Sequence, residues 1–151
     1  MIEQGMKAPD FSLPGAGDQT ITLSDLRGAW VVVYFYPKDD TPGCTTEAKD
    51  FTAFGSDFTA KSARVIGISK DTVTKHDKFR AKHDLTVDLA SDEDGSVCEA
   101  YGVWVEKKMY GKTYMGIQRA TFLIDPDGVV SKVWPKVKVK GHAEEVLASI
   151  A

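Results

Sequence analysis

One cysteine in a proline-rich turn is the residue of this sequence best placed to do chemistry. Cys44 lies in the stretch Thr41-Pro42-Gly43-Cys44, between an apolar run at 30–36 that predicts a buried strand and apolar residues at helical spacing. Thr41 suits a helix N-cap and Pro42 the first helical position, so Cys44 falls in the first turn of the predicted helix. Free amides at a helix start favour an anion, so we expect Cys44 to form a thiolate more readily than a free cysteine. The alternative is a buried structural cysteine, which the polar, proline-flanked loop disfavours.

The residue three positions before Cys44 narrows the possible reactions. A disulfide oxidoreductase of this strand–turn–helix plan needs Cys-x-x-Cys, and here Thr41 takes the first position. Without the second cysteine, the motif offers one activated thiolate, that of Cys44, beside the hydroxyl of Thr41. Because a hydroxyl both donates and accepts, Thr41 can hold a small oxygen-containing substrate beside Cys44, or it can serve only as the helix cap. A thiolate can attack a peroxide O–O bond, which yields a sulfenic acid and an alcohol or water.

Such an attack calls for a fixed positive charge, and Arg119 is the best candidate. It begins the apolar segment Arg119-Ala120-Thr121-Phe122-Leu123-Ile124, where a charge has little reason to lie unless it points at a site. A guanidinium keeps its charge when partly buried. The alternative is a solvated charge on an edge strand.

The pattern of apolar residues predicts alternating strands and helices. Two short alternating segments, 9–13 and 19–23, predict an N-terminal β-hairpin. The buried strands 30–36 and 65–69, joined by a helix that ends near Lys61 to Ala63, predict a parallel βαβ unit. The later elements are predicted, in chain order, as a helix over 72–83, a short strand over 87–90, a short helix around Cys98, a polar loop containing Gly111 between 103–105 and 114–117, a strand over 120–124, a hairpin partner over 129–134 and a helix over 142–150. We expect an α/β thioredoxin-like fold, with a central mixed sheet flanked by helices, as a single domain over residues 1–151.

Composition excludes several classes of protein. The chain has 151 residues with 19 basic and 22 acidic side chains, and the net charge of -3 argues against a dedicated nucleic-acid binder. No apolar run is long enough to span a membrane, and residues 1–5 lack the pattern of a signal peptide. The only cysteines, Cys44 and Cys98, do not make a disulfide framework, so we expect a cytoplasmic protein. We also expect a monomer, because no long unpaired apolar strip stands out.

The histidines give no sign of a metal or a cofactor. His76, His83 and His142 are scattered and have no ligand spacing with either cysteine, so we interpret them as surface or packing residues. Neither a Gly-x-x-x-x-Gly-Lys loop nor a Gly-x-Gly-x-x-Gly loop is present. We therefore predict a reaction without metal or organic cofactor.

The combined motifs resemble a known family. The pattern Pro37-x-x-x-Thr41-x-x-Cys44, followed by Glu47 and much later by Arg119, resembles the active-site set of the peroxiredoxins. The resemblance runs from about residue 5 to the C-terminus. The surrounding sequence is similar to the bacterioferritin-comigratory, or Q-type, subgroup in five segments: Tyr-Phe-Tyr-Pro-Lys-Asp at 34–39, Thr-Pro-Gly-Cys-Thr at 41–45, Gly-Ile-Ser-Lys-Asp at 67–71, Tyr-Gly-Val-Trp at 101–104 and Arg-Ala-Thr-Phe-Leu-Ile-Asp at 119–125.

This resemblance implies a role for each matching residue. Cys44 is the peroxidatic cysteine, Thr41 and Arg119 orient and polarise the peroxide, Pro37 shields the thiolate, and Glu47 supports the arginine. The implied substrates are hydrogen peroxide and organic hydroperoxides. The implied electron source is thioredoxin or a related thiol.

The sequence departs from its relatives in the residue that would regenerate Cys44. Many members of the subgroup carry a resolving cysteine five residues later, where this chain has Lys49, and others carry it at a place that corresponds to Arg80. Cys98 is the only internal candidate, and it can equally be a buried packing residue. We expect a one-cysteine cycle in which an external thiol reduces Cys44. The alternatives are a Cys44–Cys98 disulfide formed after local unfolding, and, from another class, a redox-sensing or holdase-like binding protein that uses Cys44 as a switch.

Overall fold

The computed structural model describes residues 1–151 and contains nine strands and five α-helices. The strands are β1 Ser12–Gly15, β2 Gln19–Thr22, β3 Trp30–Phe35, β4 Ala63–Ser69, β5 Asp88–Ser91, β6 Trp104–Met109, β7 Lys112–Ile117, β8 Ala120–Ile124 and β9 Val130–Trp134. The helices are α1 Pro42–Ala53, α2 Gly55–Ala60, α3 Val73–His83, α4 Ser96–Tyr101 and α5 His142–Ala148. A short 3-10 turn covers Leu23–Leu26.

Seven of the strands form one mixed sheet in the order β2-β1-β5-β4-β3-β8-β9. The β3, β4 and β5 strands run parallel, which confirms the predicted βαβ unit, while β8 pairs antiparallel with β3 and with β9. The N-terminal hairpin of β1 and β2 is present as predicted. The antiparallel register of β3 and β8 matters most for function, because it pairs Phe35 with Ala120. The end of β3 therefore lies beside the start of β8.

Two apolar layers cover the two faces of this sheet. Alternation along β3 sends Val31, Val33 and Phe35 into one layer and Val32 and Tyr34 into the other, as the two-residue period of a strand requires. The first layer includes α4 and the N-terminal segment. The second layer receives the apolar faces of α1, α2, α3 and α5. The near-continuous apolarity of β3 follows from this cover on both faces.

The helix after Cys44 differs from the prediction. In place of one helix to about Lys61, the structure has α1 and α2 with a break at Phe54. Gly55 follows the break, and a glycine in a helix interior costs about 1 kcal/mol relative to alanine, which favours an interruption there. Apolar spacing alone does not reveal the break, because Phe51 and Phe58 still face the same layer.

The polar loop predicted around Gly111 is in fact a hairpin. The β6 and β7 strands pair antiparallel from Trp104 with Ile117 to Met109 with Lys112, and Tyr110 and Gly111 both have positive φ in the turn. The pattern hid these strands because the hairpin has no apolar face buried along its length. Four large side chains are exposed on it, namely Met109, Tyr110, Tyr114 and Met115. These exposed side chains do not decide the oligomeric state, and the monomer stays a prediction.

The observed elements confirm an α/β fold with a central mixed sheet flanked by helices. The longest helix, α1, has 12 residues, and no helix combines the length and apolarity that a membrane crossing requires.

Candidate active site

Cys44 occupies the third position of α1, directly after the loop that leaves the central strand β3. The helix begins at Pro42, with Thr41 as its N-cap residue, as the sequence predicted. Proline is tolerated at this first position because the amide it lacks would have had no partner inside the helix. Cys44 is only 2% exposed and packs in the same apolar layer as Phe51. The thiol thus lies at the positive end of a 12-residue helix, in a site with little water.

Arg119 reaches Cys44 from a position 75 residues away in sequence. Its Nη2 lies 3.2 Å from Cys44 Sγ, and its Nη1 donates to Glu47 Oε1 at 2.6 Å. Gly43 permits this approach, since a Cβ at that position would lie 3.3 Å from Nη2. The guanidinium therefore bridges the sulfur and the carboxylate of one helix face. Of the two interpretations of Arg119, the structure shows the one in which it points at the cysteine.

Glu47 lies almost entirely out of water, at 1% exposure. Burial raises the pKa of Glu47 to about 7, and the neighbouring Arg119 offsets only part of this effect. Its second oxygen, Oε2, has no hydrogen-bond partner, which explains why burial dominates. The carboxyl group of Glu47 is therefore expected to exchange a proton close to neutral pH.

This shift has a measurable consequence for stability. A carboxyl group whose pKa rises on folding binds its proton more tightly in the folded state than in the unfolded state. Glu47 therefore lowers the free energy of unfolding as the pH rises from 4.5, its ordinary pKa, to about 7, its pKa in the folded protein. Each pKa unit corresponds to roughly 1.4 kcal/mol. As the pH rises through this range, the free energy of unfolding of Glu47→Gln should therefore increase by about 3 kcal/mol relative to that of wild type. Urea unfolding at several pH values measures the difference between the two proteins.

The difference in the free energy of unfolding between Glu47→Gln and wild type also cancels the contributions of other titrating groups. Burial lowers the pKa of His142 to about 4, and His142 contributes its opposite slope to both proteins equally. Glu99→Gln is the matched control, because it makes the same chemical change at an exposed position. A difference for Glu47→Gln that is flat with pH would show that folding does not raise the pKa of this carboxyl group.

Thr41 is placed as predicted, but its hydroxyl does not cap the helix. Thr41 Oγ1 donates to the carbonyl of Lys38 at 2.8 Å, and no side-chain cap is formed at the start of α1. The expectation of a side-chain cap was therefore wrong, because the hydroxyl closes the preceding turn instead. Pro37 is exposed at the start of the same loop, and its shielding of the thiolate stays a prediction.

Cys98 lies on the other side of the central sheet. It is fully buried in the first apolar layer, with α4 and Tyr101, whereas Cys44 belongs to the second layer. Burial raises the pKa of Cys98 well above its ordinary value, and Asp92 adds to the effect. Its own backbone N–H donates to Asp92 Oδ2 at 2.8 Å. Cys98 is thus a protonated packing residue in this conformation, separated from Cys44 by a layer of strands.

One residue near the site, Lys107, was not singled out by the sequence. Lys107 on β6 is near enough to be influenced by the site: burial lowers its pKa, Arg119 lowers it further, and Cys44 opposes the change. A lysine in a polar segment carries no pattern that could have revealed this. The histidines are two buried residues, His76 and His142, and one partly exposed residue, His83. No group of three or more His, Cys, Asp or Glu side chains is arranged to hold a metal ion.

Comparison with known proteins shows the family of the chain. The model of the AhpC/TSA family matches residues 4–133. A putative peroxiredoxin Bcp from Coxiella burnetii is 52% identical over 149 residues, which is 99% of each chain. Peroxiredoxin Bcp from Bacillus subtilis is 50% identical over 149 residues, covering 99% of this chain and 95% of that protein. A solved structure of the Xanthomonas campestris bacterioferritin comigratory protein, described with its alkyl peroxide reduction activity, has a TM-score of 0.88 and 47% identity over 93% of this chain and 89% of that one.

These similarities span nearly the whole chain and define its class, a cysteine-dependent peroxidase with a thioredoxin-like fold. The predicted fold class and the predicted resemblance are thereby confirmed. The chain belongs to the AhpC/TSA family and, within it, to the Bcp or peroxiredoxin Q branch of the peroxiredoxins.

Proposed function

We propose that Cys44 is the nucleophile that reduces the peroxide bond. The sulfur of the Cys44 thiolate attacks one oxygen of the substrate, an S–O bond forms, and the O–O bond breaks. The other oxygen leaves with the electron pair of that bond and takes a proton, which gives water or an alcohol. The observation that carries this proposal is the 3.2 Å contact between Arg119 Nη2 and Cys44 Sγ at the start of α1.

The neighbouring residues supply charge and orientation. Arg119 stabilises the thiolate and the negative charge that develops on the leaving oxygen, because its guanidinium is always positive and donates in a fixed plane. Glu47 holds that guanidinium in place through the 2.6 Å bond to Nη1. Thr41, three residues before Cys44, is proposed to orient the peroxide, and Pro37 to shield the sulfur from water. No part of this reaction requires a cofactor or metal.

We propose hydrogen peroxide and small alkyl hydroperoxides as substrates. The alkyl peroxide reduction activity described for the Xanthomonas campestris protein supports this choice at 47% identity. The burial of Cys44 also favours a small substrate, since little room is open around the sulfur.

We further propose that an external thiol, such as thioredoxin, reduces the Cys44 sulfenic acid. The thiol sulfur attacks the oxidised sulfur and water leaves, and a second thiol then reduces the mixed disulfide. The position of Cys98 on the opposite face of the sheet supports this one-cysteine cycle, because a disulfide needs Cα atoms within roughly 7 Å. A cycle that consumes thiols is suited to a reducing compartment, and we propose the cytoplasm.

A trapping experiment tests both the nucleophile and the cycle. After one equivalent of hydrogen peroxide and a sulfenate-specific reagent, we expect an adduct on Cys44 and a free thiol at Cys98, measured by intact mass and peptide mapping without reductant. Cys98→Ser is the matched control and should turn over with thioredoxin at the wild-type rate. A rapid Cys44–Cys98 disulfide, lost with turnover in Cys98→Ser, would establish the two-cysteine alternative instead.

A multiple-turnover assay addresses the rival of another class. A redox sensor or holdase-like protein that uses Cys44 as a switch would consume one equivalent of peroxide and then stop, even with excess thiol. Sustained peroxide consumption over many equivalents, with thioredoxin and its reductase present, distinguishes the peroxidase from that switch.

A further inference from the structure

A buried polar cluster holds the loop that leads into α1, with Asp39 at its centre. The Asp39 carboxylate accepts a 2.5 Å hydrogen bond from the Tyr36 hydroxyl and lies 2.6 Å from His76 Nδ1. The backbone N–H of Asp39 donates to Asp71 Oδ2 at 2.8 Å. Tyr36 follows β3, His76 belongs to α3, and Asp71 follows β4. One loop residue is therefore tied to three elements of the fold.

The partners of His76 determine where its protons lie. Nε2 is 3.0 Å from the carbonyl oxygen of Ala90, which can only accept, so Nε2 carries a hydrogen. Nδ1 faces the Asp39 carboxylate, which also only accepts when ionised, so Nδ1 carries a hydrogen as well. Both ring nitrogens of His76 thus face oxygen acceptors. The His76 side chain is 0% exposed, and the Asp39 carboxylate, 2.6 Å from Nδ1, is the acidic group paired with it.

The residue after Asp39 has an unfavourable backbone conformation, which the contacts of Asp39 help to stabilise. Asp40 has a φ of 59°, in the left-handed region that costs free energy for a residue with a side chain. The bond from the Thr41 hydroxyl to the carbonyl of Lys38 closes the same turn. Helix α1 starts at Pro42, directly after Thr41, and carries Cys44 in its first turn. A change in the conformation of Asp39 is therefore transmitted directly to the start of α1.

A second pair joins the same loop to the same helix, but in water. His83 Nε2 lies 2.8 Å from Asp40 Oδ1, and the Asp40 side chain is 42% exposed. Exposed pairs of this kind contribute little, because solvent screens them. The Asp40–His83 pair therefore provides a control for the buried one.

We propose that the buried Asp39–His76 ion pair holds residues 37–41 in place, so that Cys44 and Arg119 remain at reacting distance. Asp39 and His76 are positioning residues, because they act through the loop backbone and not on the reacting atoms. The proposal rests on the proposed function of Cys44. When the pair is broken, the loop samples other conformations, so a small peroxide meets a less ordered site. The same motion exposes the buried Cys44 sulfur to bulky reagents.

Two rates test this proposal in His76→Gln and Asp39→Asn, with His83→Gln as the matched control. The first is single-turnover formation of the Cys44 sulfenic acid with hydrogen peroxide. The second is modification of reduced Cys44 by a bulky aromatic disulfide, located by peptide mapping. We expect the first rate to fall about 10- to 100-fold in both variants, as small misplacements at reacting centres do. We expect the second rate to rise, while His83→Gln stays within about twofold of wild type in both.

The double variant of Asp39 and His76 tests whether the two residues act together or independently. Because Asp39 and His76 act as one unit, Asp39→Asn with His76→Gln should slow oxidation no more than either single variant does. A small unfolded fraction cannot slow the folded molecules in this way, and thermal unfolding confirms that the variants are folded at the assay temperature. Wild-type rates in both single variants would overturn the proposal. Failure of wild-type Cys44 to react with peroxide would instead refute the proposed function.

A measurement on the wild-type protein keeps the test decisive if the variants do not fold. Nitrogen-15 NMR at neutral pH should show hydrogens on both ring nitrogens of His76. A neutral His76 ring with a bare Nδ1 would overturn the ion pair, and with it the proposal.

Discussion

Replacing Cys44 with serine is expected to abolish peroxide reduction and leave the fold intact. Serine is close to cysteine in size, so the packing beside Phe51 survives, and the free energy of unfolding should change by about 1 to 2 kcal/mol at most. A hydroxyl is not ionised at neutral pH and cannot replace the thiolate as the attacking group. Peroxide consumption with thioredoxin and its reductase, together with circular dichroism and urea unfolding, measures both parts of this expectation.

The control for this experiment is Cys98→Ser, which removes the other cysteine from the opposite apolar layer. It should keep full activity, because Cys98 is buried away from the site and protonated. Substantial peroxide reduction by folded Cys44→Ser would remove Cys44 from the proposed mechanism.

Replacing Arg119 with methionine is expected to slow sulfenic acid formation by about 100- to 1000-fold, the loss seen when one preorganised donor to a developing anion is removed. The substitution keeps much of the side-chain volume and removes both the charge and the 3.2 Å donor to Cys44. The fraction of Cys44 present as thiolate at neutral pH should also fall. Ultraviolet absorbance of the thiolate against pH, and single-turnover rates with hydrogen peroxide, measure these two effects.

Two controls isolate the role of the guanidinium. Arg119→Met leaves the buried Glu47 without its partner, so the double variant with Glu47→Gln removes that added cost. Arg119→Lys keeps a positive charge and loses the planar pair of donors, so its rate should fall between wild type and Arg119→Met. Unchanged rates and an unchanged thiolate titration in Arg119→Met would show that Arg119 takes no part in the reaction.

The local structure around Cys44 could be predicted because short-range patterns determine it. An apolar run followed by Thr-Pro-Gly and helical spacing places a cysteine at the start of α1, whatever the rest of the chain does. The same kind of pattern predicted β3, β4 and β8, which form the centre of the sheet. The β6–β7 hairpin and the break at Phe54 could not be predicted in this way. The hairpin buries no continuous face, and the break leaves the spacing of apolar residues unchanged.

The meeting of Arg119 and Cys44 was decided by strand pairing. The antiparallel register of β3 with β8 puts Ala120 opposite Phe35, and this brings Arg119 beside the loop that begins α1. Nothing in the two segments taken separately specifies that register. The sequence could therefore nominate Arg119 as a charge at the start of a buried strand, while only the assembled sheet brings its Nη2 to the sulfur.

The sequence by itself determined the type of chemistry, because one cysteine preceded by threonine at a helix start supports a single thiolate and no local disulfide exchange. The tertiary structure decided the two points that depend on which face of the sheet a residue occupies. It put Cys98 in the layer opposite Cys44, although each cysteine is the third residue of a helix. It also paired His76 with Asp39, since a histidine on the apolar face of a helix shows that a polar partner is needed but not which one. Both outcomes follow from the order of strands in the sheet, which brings together residues distant in sequence and separates others by a full layer of backbone.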